Sequence, residues 1–243
     1  MSATALRPRK VDRPPIRGTI DHSAAVTEDA GLTLALRLAA FVGLYAFAAG
    51  HWIAMLTDPP AARLWVTVLI VTLGAGVLAL SGHWRLGPAA AAFARFGVIA
   101  AMLIASAVAM GIEPRLLLPG GWGDLAAGID RGINGSVIAL WPYDGPDPWV
   151  RQVVALLPVI VGVACAAMAF WPGEWLARPG RVGALVALVA LYTAAAAERD
   201  FGSQGARGLL LLALIAAWLW LPRMRGREAA VAASIVAAAG VLA

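Results

Sequence analysis

Seven apolar stretches follow one another from Leu32 to Ala243, at roughly 32–56, 64–81, 89–112, 150–171, 181–197, 207–222 and 229–243, with short arginine-bearing segments between them. At ~1.5 Å rise per residue, about 20 apolar residues cross the ~30 Å hydrocarbon core of a bilayer. In lipid, each backbone polar group must bond within its own segment, so a run of this kind folds as a helix. The expected fold class is therefore all-α: a polytopic membrane helix bundle of about seven transmembrane helices.

Composition agrees. Hydrophobic residues make up 61% of the chain, against roughly 45–50% in soluble domains, and the mean hydropathy is +0.79. A soluble core this apolar has no polar surface left to dissolve it. The net charge of +5 is spread through the loops without a basic face, so nucleic acid is not an expected partner and the lipid bilayer is. Residues 1–31 carry Pro, Gly and charges without periodicity, and they read as a disordered cytoplasmic tail. No cleavable signal peptide is expected at the start of the chain, because the run beginning at Leu32 is too long for one.

Orientation follows from the basic residues, which favour the cytoplasmic side. If the amino terminus is cytoplasmic, only Arg63, Arg115, Arg131, Arg151, Arg199 and Arg207 of the 19 Lys and Arg residues fall outside. The expected location is the plasma membrane, multi-pass, amino terminus in the cytoplasm. Seven crossings then deliver the carboxyl end outside. The last run is short for a span, which leads to the expectation of a truncated chain whose next domain is extracytoplasmic.

The segment 113–149, between spans three and four, is the long connection of the bundle. Trp122, Leu125, Ile129, Ile133 and Val137 recur there at helical spacing, with Asp124, Asp130, Arg131 and Asn134 elsewhere. That pattern predicts an amphipathic helix lying in the membrane interface. Gly123, Gly128, Gly132 and Gly135 each cost it about 1 kcal/mol relative to alanine, so it is expected to be held by packing, or broken. Pro142–Tyr143–Asp144–Gly145–Pro146 is a turn, leading to Trp149 and Arg151 at the border of span four. Two readings stay open: a docking surface for an external domain, with Trp122, Asp124, Asp130, Arg131, Tyr143, Asp144, Trp149 and Arg151 as candidates, or a connector that only closes the bundle.

Residues that carry chemistry are sparse. His22, His51 and His83 have no metal-ligand spacing, and Cys165, mid-span, reads as a small hydrophobe. Arg37 lies near the start of span one and can snorkel to the headgroups. Asp58, Glu113, Glu198 and Asp200 sit at span ends, whereas ion-coupled transport places carboxylates near the midplane. Pro158 falls inside span four, where proline is tolerated without function. No catalytic, cofactor or metal site is expected in this chain.

The stretches LLLPGGWGDLAAGIDRGI (116–133), WPYDGPDPWVRQ (141–152) and AFWP (169–172) resemble the amino-terminal membrane domain of bacterial, chiefly actinobacterial, transglutaminase-like membrane proteins of the TgpA type. The resemblance implies several helices ahead of an extracytoplasmic transglutaminase-like domain whose Cys, His and Asp catalytic residues match no position here. It implies a non-catalytic membrane-anchoring module of a cell-envelope protein, with that external domain as its partner. The alternative is a small-molecule transporter or permease, against which stand the missing midplane charges and the absence of repeated halves.

Overall fold

A computed structural model describes residues 22–172, 174–198, 202, 204–223 and 227–242, and among these the chain is helical without a strand. The helices are α1 (His22–Ile53), α2 (Ala61–Leu80), α3 (Pro88–Ala109), α4 (Trp122–Val137), α5 (Pro148–Phe170), α6 (Glu174–Glu198), α7 (Gln204–Trp220) and α8 (Arg227–Leu242). Among the described residues five segments are long and apolar enough to cross a membrane: Leu32–Ile53, Ala61–His83, Pro88–Ala109, Pro148–Phe170 and Pro179–Glu198. The sixth and seventh apolar runs are helical as well. Their helices have 17 and 16 residues, or about 26 and 24 Å at ~1.5 Å per residue, which is short of a ~30 Å core.

One boundary differs from expectation. Helix α1 reaches back to His22, so residues 22–31 of the expected disordered tail are helical; alanines and Glu28 there favour the continuation of the turn below the apolar run. Residues 1–21, Arg199 and Asp200 lie outside the described residues.

Helix α1 is the axis of the bundle, packing on α2, α5, α6, α7 and α8. From Ala40 to Ala49 nearly every side is buried, as a helix that is apolar all round requires. Phe41 stacks on Tyr45 at 5.7 Å and meets the edge of Phe170 at 5.5 Å, while Phe47 stacks on Tyr192 of α6 at 4.9 Å. Against α8 the helix uses small residues. A Cβ on Gly240 would strike the backbone of Gly43, and one on Gly43 would strike the Val236 carbonyl. Close backbone approach of this kind lets membrane helices associate through van der Waals contact. Gly50, two turns further along α1, faces open space.

Pro158 does not break α5, which runs unbroken from Pro148 to Phe170. A proline has no N–H, so the carbonyl four residues back loses its helical partner. Trp52 of α1 supplies the replacement, its Nε1 donating to the Val154 carbonyl at 2.9 Å. One turn on, Tyr45 lies over Gly162 and donates its hydroxyl to the Pro158 carbonyl at 3.1 Å.

At the end of the bundle away from 113–149, arginines cap the carboxyl ends of neighbouring helices, where carbonyls lack intrahelical partners and the dipole is negative. Arg37 is one of them. It does not simply snorkel: its Nη2 donates to the Ala169 carbonyl of α5 at 2.7 Å and its guanidinium lies 5.3 Å from the Phe170 ring centre. Arg181 donates to the Trp218 carbonyl of α7 at 3.3 Å. Arg95 donates to both the hydroxyl and the carbonyl of Ser81, just past α2.

Candidate functional site at the loop end of the bundle

The segment 113–149 folds onto the bundle as three tethered pieces. Two short 3-10 turns, Pro114–Leu117 and Pro119–Gly121, lead from α3 into α4, and the indole of Trp122 donates back to the Leu117 carbonyl at 3.1 Å. Helix α4 then packs along the first turns of α5.

The packing face of α4 is glycine. A Cβ on Gly128 would enter the Trp149 ring, one on Gly132 would meet the Trp149 carbonyl and Val153, and one on Gly135 would meet Val150. Of the two expected outcomes, held by packing or broken, the structure has the first: α4 is continuous from Trp122 to Val137, and Gly128 and Gly132 are buried. The helical propensity lost at each is the condition for a close helix–helix contact. Beside this seam, the apolar stripe Trp122, Leu125, Ile129, Ile133 and Val137 is half-buried or exposed, while Asp124, Asp130, Arg131 and Asn134 are exposed.

After α4 the chain returns to the α1–α2 connection. Tyr143 N–H donates to the Met55 carbonyl at 2.8 Å, and the Tyr143 carbonyl accepts from the Thr57 N–H and hydroxyl, each at 3.1 Å. The Trp141–Pro142 peptide is cis, and the Tyr143 ring covers Gly145. Asp147 then caps α5, its Oδ1 accepting from the Trp149 N–H at 2.8 Å. On the other flank Arg63 and Gln152 both donate to the Met110 carbonyl at 3.4 Å, where α3 ends.

The eight candidate residues therefore divide. Trp122, Asp124, Asp130, Arg131 and Asp144 are exposed, and Arg151 sits half-buried with its Nη2 3.8 Å from Asp144. Tyr143 and Trp149 face inward instead, the first stitched to Met55 and Thr57, the second filling the glycine seam. Tyr143 is buried and Trp149 half-buried, and each belongs to the joint that fixes the loop. Sequence reasoning did not find Met55, Thr57, Arg63 or Gln152, whose roles depend on backbone groups of distant segments.

Residues with chemical potential elsewhere are engaged structurally. His51 is buried, its Nδ1 donating to the Phe47 carbonyl at 2.8 Å and its ring edge-on to Tyr192 at 5.0 Å. Cys165 is buried between α5 and α6, its Sγ 3.6 Å from the Ala184 carbonyl. Asp58, Glu113 and Glu198 are exposed at helix ends, and Glu113 pairs with Arg115. Among the described residues no three His, Cys, Asp or Glu side chains gather where they could hold a metal ion. What the loop end offers is a rigid, mixed-charge polar face next to an apolar ledge. Comparison of the chain with protein families, with curated proteins and with solved structures finds no match.

Proposed function

We propose that this chain is a non-catalytic membrane-anchoring module that presents the α4 segment, on the extracytoplasmic side, to a transglutaminase-like domain. In this reading the amino terminus is cytoplasmic, α7 and α8 complete seven crossings, and α4 lies in the outer interface. The observation that supports it is the tethering of 113–149: a connector that only closes the bundle does not need the glycine seam, the Tyr143 stitch and the Asp147 cap together. Such tethering holds Asp124, Asp130 and Arg131 in fixed positions facing away from the bundle, and a preorganised polar face lowers the cost of docking a partner.

A permease needs a polar path through the helices. Around α1 that space is occupied by Phe41, Leu44, Tyr45 and Phe47, which disfavours the transporter reading. The deciding experiment is to read the coding DNA beyond the Ala243 codon. An open frame encoding a soluble domain with Cys, His and Asp, followed by one more apolar span, supports the anchor. A stop codon there sinks it in this form, and uptake of labelled solutes by proteoliposomes becomes the next measurement.

A further inference from the structure

A cavity of about 360 Å³ opens on the side of α5 beneath α4, walled by Trp52, Ile133, Trp141, Val153, Leu157 and Ile160 among others. Its size falls in the ~300–1,000 Å³ range of small-molecule sites. Its lining carries no charged side chain, and the Ser136 hydroxyl and Trp52 indole on its wall are both directed at backbone carbonyls, of Ile133 at 2.7 Å and Val154 at 2.9 Å. Water is held in a cavity by two to four polar partners, and an apolar cavity stays dry and accepts apolar guests.

The position of the cavity names the guest. At ~1.5 Å per residue, Ile160 sits about 18 Å along α5 from Pro148, near the middle of a ~30 Å hydrocarbon core. Leu157 and Ile160 of its lining are exposed, and in the chain between its lining residues Ser136 and Trp141, Val137, Ile138 and Leu140 are 79, 84 and 88% exposed. An apolar surface so open is solvated by lipid. The cavity is a recess in that lipid-facing surface, running from the level of the interfacial helix toward the midplane.

We infer that the recess binds one acyl chain of a bilayer phospholipid, clamped between the apolar stripe of α4 and the Leu157–Ile160 face of α5. The chain gains little hydrophobic free energy, since it leaves hydrocarbon for hydrocarbon. What it gains is dispersion contact with fixed side chains that otherwise border a void. The uncharged lining selects for the chain and not for a headgroup. A bound chain also props α4 from below, which couples the position of its polar face to the lipid. The inference rests on the cavity and stands whether or not α4 docks a domain.

The test is photolabelling of the full chain in phosphatidylcholine nanodiscs with phosphatidylcholine carrying a mid-chain diazirine, and mapping of adducts by mass spectrometry. The expected result is labelling concentrated on residues 129–137 and 153–160 over the equally exposed apolar faces at Val186 of α6 and Leu212 of α7. That excess should be lost in Leu157→Trp and Ile133→Phe, which fill the recess, and kept in Val186→Trp. Uniform labelling of all exposed faces in the wild-type chain overturns the site without any variant. Excess labelling that survives in folded Leu157→Trp overturns it too. Displacement by free fatty acid but not by unlabelled phosphatidylcholine overturns the phospholipid as the source.

Discussion

The indole of Trp52 donates to the Val154 carbonyl, the one acceptor in α5 that Pro158 leaves without a helical partner. An unpaired carbonyl at this depth has no water to turn to, so the bond is a condition of having the proline. Removing the donor leaves a buried acceptor unsatisfied, at about 1–3 kcal/mol. Trp52→Phe is expected to destabilise the bundle by that amount, measured by thermal unfolding in detergent. In a Pro158→Ala background the same substitution should cost much less, because the alanine restores an N–H to the Val154 carbonyl. Equal costs in the two backgrounds would separate Trp52 from the proline and defeat the explanation.

The glycines of α4 differ in what surrounds them, and so should their substitutions. Gly123→Ala meets nothing within contact distance, and is expected to stabilise α4 by up to about 1 kcal/mol through helix propensity. Gly128→Ala drives a methyl into the Trp149 ring, and overpacking of this kind costs about 1–3 kcal/mol. Hydrogen–deuterium exchange of residues 122–137 reads both: slower or unchanged in the first variant, faster in the second. Faster exchange in both would mean that propensity, not the seam, governs α4.

How much of this was legible in the sequence depends on the distance over which each feature acts. Apolar runs are local, so the five that are long enough to cross a membrane lie within a few residues of expectation, for example 150–171 against Pro148–Phe170. Helix α4 was legible from its periodicity. Its seam was not, because Gly128 and Gly132 lower propensity locally and are favoured only once Trp149 is beneath them. Tyr143 reads as an exposed turn residue until Met55, far away in sequence, takes its N–H. Arg37 looked like a snorkelling charge for the same reason: its partner, the Ala169 carbonyl, exists only after α5 has packed beside α1.

Thr67 and Ser106 are fully buried, and neither hydroxyl has a hydrogen-bond partner. Thr67 shares the face of α2 that carries Arg63 and Gly74, both set against α3, and Ser106 lies one turn from Met102 on the facing side. Each orphaned hydroxyl costs about 1–3 kcal/mol of desolvation. Thr67→Val and Ser106→Ala are therefore expected to leave stability unchanged or to raise it in thermal unfolding. A clear loss in the double variant would instead reveal a water or ligand bridging the two groups.

Arg37 joins two effects that one substitution cannot separate, its charge and its planar fork. In the proposed orientation the charge lies at the cytoplasmic end of α1, where it would contribute to orientation. The fork donates to the Ala169 carbonyl while lying over the Phe170 ring. Arg37→Lys keeps the charge and loses the flat donor geometry, whereas Arg37→Gln loses the charge and most of the cation–π attraction. The expected outcome is normal orientation for Arg37→Lys by impermeant-reagent labelling at both termini, with a stability loss of about 1–2 kcal/mol from the weakened cap and ring contact. Arg37→Gln should show at least the same loss. Full stability in Arg37→Lys would reduce the residue to a point charge and leave the carboxyl end of α5 to be held by Trp171 and its neighbours alone.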